Sequence, residues 1–150
     1  MNRTSFLSLL LFFIIFSSCH KVDLCHLQGD IQIGQIEEVL SLDCTLFGAN
    51  DQIIRTEEEL LNLFGDLPCQ GDLPSIDFSQ FTLLGQYGGA SGCQRYFTRQ
   101  LYIKHGAKNY TFTVKVSECG GCEPFATQWH WVLVPTLPED YTVEFVFQIV

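Results

Sequence analysis

The feature that most limits the fold is a train of short period-two segments that fills the second half of the chain. The last of them is the clearest: Tyr141, Val143, Phe145, Phe147 and Ile149 project to one side of an extended backbone, with Thr142, Glu144 and Gln148 on the other. Strands are expected over 81–87, 95–104, 110–118, 128–134 and 141–149, punctuated by Gly88-Gly89, Pro135 and a Pro138-Glu139-Asp140 turn. Between the second and third, His105-Gly106-Ala107-Lys108-Asn109 carries a hairpin signature. So many strands at short spacing require a sheet that closes locally.

One helix precedes them. Thr56 is placed to cap it, Glu59 three residues on completes a capping box, and Glu57, Glu58 and Glu59 face the positive end of the dipole. Gly65 marks its stop, and Leu60, Leu61, Leu63 and Phe64 form its apolar side. The acidic run is therefore a helix start and not a calcium site, because no EF-hand spacing surrounds it. Residues 52–55 suit a short strand feeding the helix, and Ile31, Ile33 and Ile36 hint at a first strand. The order predicts α+β: one short helix followed by a mostly antiparallel β-sheet, a sandwich or roll.

The N-terminus reads as an address. Arg3 and the amine precede the apolar stretch from Phe6 to Phe16, which is too short for a membrane span of roughly 20 residues. Phe16-Ser17-Ser18-Cys19 resembles the bacterial lipobox, in which the cysteine is acylated and becomes the mature N-terminus. The rival readings are an ordinary signal peptide cleaved nearby and an uncleaved anchor. The resemblance implies a signal peptide over 1–18, a tether over 19–29 and one domain over 30–150. It implies a membrane partner through lipid at Cys19, with palmitate among the acyl chains. His20, standing where Asp resembles an inner-membrane retention signal, favours the outer membrane, with periplasmic face and cell surface both open.

Cysteine usage agrees with export. Setting Cys19 aside leaves Cys25, Cys44, Cys69, Cys93, Cys119 and Cys122, an even number that reads in an oxidising compartment as disulfides of open connectivity. Cys119-Gly120-Gly121-Cys122 has the spacing of redox dithiols and of zinc knuckles. Gly-Gly followed by Glu123-Pro124 reads as a turn rather than the helix start that activates a thiol, and no second ligand pair exists for zinc, although His130, His105 or His26 is available to complete a site. Structural staples are the expectation, with no metal and no small-molecule cofactor.

Charge excludes one partner class. Seventeen acidic against eight basic residues give −9, and the few cations are scattered, so no nucleic-acid surface is expected. No nucleophile elbow, HExxH, P-loop or dinucleotide fingerprint occurs; Gly89-Ala90-Ser91-Gly92-Cys93 lacks the elbow's second spacing. Catalytic residues are therefore expected to be none, an envelope hydrolase or thiol-redox enzyme being the alternative.

Trp129-His130-Trp131 is the most distinctive surface candidate. On a strand both indoles share one face and His130 takes the other. Trp129 and Trp131 are the ligand-binding candidates, an aromatic platform for a sugar or peptide joined by Tyr96, Tyr102 or Tyr110 from neighbouring strands. Core packing is the competing reading, and His130 is expected to be a satisfied core histidine.

Ile76-Asp77-Phe78-Ser79, Thr82-Leu83-Leu84-Gly85, Gly92-Cys93, Trp131-Val132-Leu133-Val134-Pro135 and Tyr141-Thr142-Val143-Glu144-Phe145 together resemble a group of uncharacterised Gram-negative lipoproteins over about residues 51–150. More distantly, the helix, the Asp-Phe-Ser strand and the late strands resemble the C-terminal domain of protease-complex stability proteins. These resemblances bring no catalytic residue. They fit a lipid-anchored, non-enzymatic binding module with an envelope protein as partner.

Overall fold

The computed structural model describes residues 30–42, 46, 50–65, 67, 69, 73–103, 108–120 and 125–150. The expected signal peptide and tether, Cys19, Cys25, Cys44 and Cys122, and His26 and His105 lie outside them. The elements run β1 (Ile31–Gly34), β2 (Glu38–Leu40), β3 (Gln52–Ile54), α1 (Glu57–Phe64), β4 (Phe81–Ala90), β5 (Gln94–Ile103), β6 (Asn109–Cys119), β7 (Ala126–Pro135) and β8 (Thr142–Ile149). Strand dominates and the helix is short, as the α+β reading requires.

The strands form two four-stranded sheets, one in the order β1-β5-β6-β8 and the other β2-β7-β4-β3. Most ladders are antiparallel, but β1 with β5 and β6 with β8 are parallel. Three short strands precede the helix; β1 and β3 fall at the two segments the sequence suggested, and β2 is added to them. Of these, β2 had no sequence signal, because three residues are too few to reveal a period.

Local chemistry accounts for α1. Thr56 is extended at φ −138°, and its hydroxyl accepts the Glu59 N–H at 3.1 Å. The Glu59 carboxylate accepts from the Arg55 N–H at 2.6 Å, one residue before the cap, so the box closes in a shifted form. Leu60 and Phe64 are buried, whereas Leu61 points to water. At the entry to β4, Asp77 accepts the Ser79 N–H (3.0 Å) and the Gln80 amide (2.7 Å). Those bonds, led by the Ser79 hydroxyl, hold its carboxyl below the usual range.

Two apolar layers result. Between the sheets lie Leu84, Phe97, Leu101, Phe112, Val114, Val116, Val132 and Val134. On the other side of β4 and β7, Leu83, Trp131 and Leu133 meet Ile54, Leu60 and Phe64, so α1 covers the second sheet from outside. The β4–β7 sheet is thus buried on both faces, the β5–β6 sheet on one.

Gly88 and Gly89 do not end β4, which continues to Ala90. A Cβ on Gly88 would sit 2.1 Å from the Phe147 ring, and one on Gly89 would meet Thr127 and Phe125. Side chains from neighbouring strands thus cover the bare backbone of these glycines, and the strand continues through a dipeptide that ordinarily breaks one.

Candidate functional site

Strand β7 divides its side chains as the alternation requires, Trp129 and Trp131 to the helix side and His130 to the space between sheets. Trp131 is 1% exposed, which corrects the expectation that it offers a ligand face. Its ring lies over Gly85, where a Cβ would come within 2.0 Å of it, and Phe64 packs edge-on at 5.3 Å. Trp131 is core because a glycine stands opposite it in the ladder and leaves room for the indole.

Trp129 is only half buried. Its ring stacks on Trp131 at 4.9 Å and 17°, and its N–H donates to the Leu46 carbonyl at 3.3 Å. Tyr87, its cross-strand partner on β4, lies 5.4 Å away and is 41% exposed. Phe64, Trp131, Trp129 and Tyr87 therefore form one aromatic ladder that runs from beneath the helix into solvent. Its buried end holds the ring of Trp129 in place, and its open end is a ledge.

Asp51, just before β3, borders that ledge. Its carboxylate accepts the Tyr87 backbone N–H, and partial burial raises its pKa more than that bond lowers it. The ledge thus offers aromatic rings with a fixed hydrogen-bond acceptor alongside. Phe125, 63% exposed, lies over Gly89 two positions beyond Tyr87. Tyr96, Tyr102 and Tyr110 do not contribute, because β5 and β6 belong to the opposite sheet; Tyr110 is core, packed on Tyr141 at 5.5 Å. Sequence reasoning missed Tyr87 and Asp51, since only the β4–β7 and β3–β4 pairings bring them to Trp129.

His130 is 1% exposed, sandwiched by Phe97 at 4.6 Å and Phe147 at 5.9 Å. Its Nδ1 lies 3.5 Å from Arg99 Nη2 and from the Gln128 amide nitrogen, so Nδ1 carries the lone pair and Nε2 the proton. Only half of the expected satisfaction holds: among the described residues Nε2 has no hydrogen-bond partner, nor have Gln86 Oε1 and Arg99 Nε. Burial, then the Arg99 charge, push its pKa down to about 4, Asp30 opposing. Arg99 in turn donates to Asp30 at 2.9 Å, and the other Asp30 oxygen accepts the Phe97 N–H at 2.9 Å. This cluster ties the residue before β1 to β5 and β7; its histidine is buried, while the Asp30 side chain is 48% exposed.

Among the described residues no three His, Cys, Asp or Glu side chains gather as a metal ligand set, and no helix is long and apolar enough to cross a membrane. Cys69, Cys93 and Cys119 are each disulfide-bonded. No protein-family profile, curated protein or solved structure matches the chain.

Proposed function

We propose that the protein is a lipid-anchored, non-enzymatic binding module of the cell envelope, held at the outer membrane through Cys19, whose ligand face is the Tyr87–Trp129 ledge. The single observation that supports it is an aromatic ladder whose inner rings, Phe64 and Trp131, are fully buried while its outer rings, half-buried Trp129 and 41% exposed Tyr87, reach the surface. Large rings stranded at a surface contribute little to the core and much to recognition. Disulfides staple the domain in this reading, with Cys25, Cys44, Cys69, Cys93, Cys119 and Cys122 in unassigned pairs. That leaves the odd seventh cysteine, Cys19, for the lipid.

A carbohydrate is the ligand class favoured over an envelope protein surface or a peptide, because Asp51 sets a carboxylate acceptor beside the rings. Sugars present apolar C–H faces for stacking and hydroxyl donors at their rims, the complement of this ledge. Trp129 emission should shift or quench with at least one member of a neutral glycan panel, and Tyr87→Ala should remove the response. Unchanged emission across the panel, with no partner protein crosslinked through a photoreactive residue at position 87, would sink the binding reading. Palmitate labelling lost in Cys19→Ser is the expected result for the anchor; retained labelling would refute it.

A further inference from the structure

The polar contact between the sheets leaves three atoms unanswered. Gln86 on β4, Arg99 on β5 and His130 on β7 are 3%, 5% and 1% exposed, in a layer otherwise lined by Leu84, Phe97, Leu101 and Val132. Among the described residues Gln86 Oε1, Arg99 Nε and His130 Nε2 are buried with no hydrogen-bond partner. The rest of the cluster is engaged: Arg99 Nη1 donates to Asp30, while Arg99 Nη2 and the Gln128 amide face His130 Nδ1.

Register brings the three side chains into one layer. Gln86 stands directly opposite His130 in the β4–β7 ladder, so both leave the same face with their Cβ atoms roughly 4.5–5.5 Å apart. Arg99 alternates with buried Phe97 and Leu101 along β5 and enters the same space from the facing sheet. Its Nη2 comes within 3.5 Å of His130 Nδ1, and Nε belongs to the same planar guanidinium. Phe97 and Phe147 flank the imidazole at 4.6 and 5.9 Å. What remains is two N–H donors and one carbonyl acceptor, enclosed by apolar side chains. Native interiors answer such groups with a protein partner or an ordered water.

We propose that one buried water molecule is bound between the sheets, accepting from His130 Nε2–H and Arg99 Nε–H and donating to Gln86 Oε1. Three bonds to otherwise unpaired buried groups are what internal waters ordinarily make. The donor and acceptor inventory selects water over an ion. A cation would meet two N–H donors and the Arg99 charge, and an anion would meet the Gln86 carbonyl oxygen. Water both donates and accepts, so it fits the site whichever way the Gln86 amide is turned. It also gives the Nε2 proton an acceptor, which holds His130 in the tautomer that leaves the Nδ1 lone pair to Arg99 and Gln128.

Cross-relaxation between water and the His130 ring protons, measured by NMR on the labelled full chain in detergent at neutral pH, tests this. The Nε2 proton should show a contact with a water that stays far longer than surface hydration, and the ring nitrogen shifts should report the Nε2–H tautomer. Gln86→Leu keeps the side-chain size and removes the acceptor, so the residence time should shorten about tenfold, the loss of one hydrogen bond. Thr113→Ala, on the opposite face of its sheet, should change nothing. A wild-type Nε2 proton without a long-lived water overturns the proposal, and this result decides even where Gln86→Leu fails to fold. So does a water contact indifferent to Gln86→Leu, or a shift of the Nε2 proton on bromide titration, which would give the site to an anion instead.

Discussion

The two sheets are built from the same kind of strand yet hold their side chains differently. In the β1-β5-β6-β8 sheet one face packs on the core, and β6 accordingly alternates buried Tyr110, Phe112, Val114 and Val116 with half-exposed Thr111, Thr113, Lys115 and Ser117. In the β2-β7-β4-β3 sheet both faces are covered, and β7 buries five residues in succession from His130 to Val134. A strand with two covered faces has no polar row to spare. The contrast teaches where substitutions are felt and where a surface feature must arise, namely where the helix stops covering the second sheet, at Tyr87 and Trp129.

Truncating the doubly covered sheet should have the largest effect. Trp131→Ala removes a fully buried indole from between Gly85 and Phe64 and should cost about 3–5 kcal/mol, read from chemical denaturation. A loss under 1 kcal/mol would mean that the helix-side layer is loosely packed.

Next comes the polar contact between the sheets. His130 has a folded pKa near 4 against the usual 6.5, so the unfolded chain takes up the proton first. Its contribution is fully present above pH 6.5 and is lost as pH falls toward 4, on the order of 3 kcal/mol over that window. Protonation places a second cation against Arg99 and turns the Nδ1 acceptor into a donor facing two donors. Stability measured between pH 7 and 4 should therefore slope steeply in the wild type and much less in His130→Gln; equal slopes would remove His130 from the account.

The glycine pair sharpens the contrast further. Gly88→Ala drives a methyl group into the Phe147 ring between the sheets and should cost about 1–3 kcal/mol. Gly89→Ala meets the Thr127 methyl at 2.7 Å, the exposed Phe125 ring at 2.8 Å and the Ala126 carbonyl at 2.9 Å, shallower overlaps than the 2.1 Å at Gly88, and should cost less when thermal melts of the two variants are compared. Smallest of all, Thr113→Ala on the open face should stay within about 0.5 kcal/mol. A large loss there would show that the face is covered.

How much was legible follows from those same residues. The α1 cap, the β8 alternation and the split of Trp129 and Trp131 from His130 were readable, because each depends on neighbours within a few positions. The strand limits at Gly88 and Gly89 were misplaced, since the rings that support them come from β8 and from Phe125. The ledge was half read: Trp129 was singled out, but Trp131 belongs to the core, and Tyr87 and Asp51 arrive only through strand pairing. Tyr96, Tyr102 and Tyr110 were assigned to the wrong sheet for the same reason.

By itself the sequence determined the element types, the helix start and which side chains share a strand face, since periodicity and capping are local properties of the backbone. Tertiary structure alone decided which of two apolar faces lies under a helix, which indole is left open, and that a histidine and an arginine meet between the sheets. Burial belongs to pairs of surfaces, and a period of two names the faces of a strand without naming what covers them.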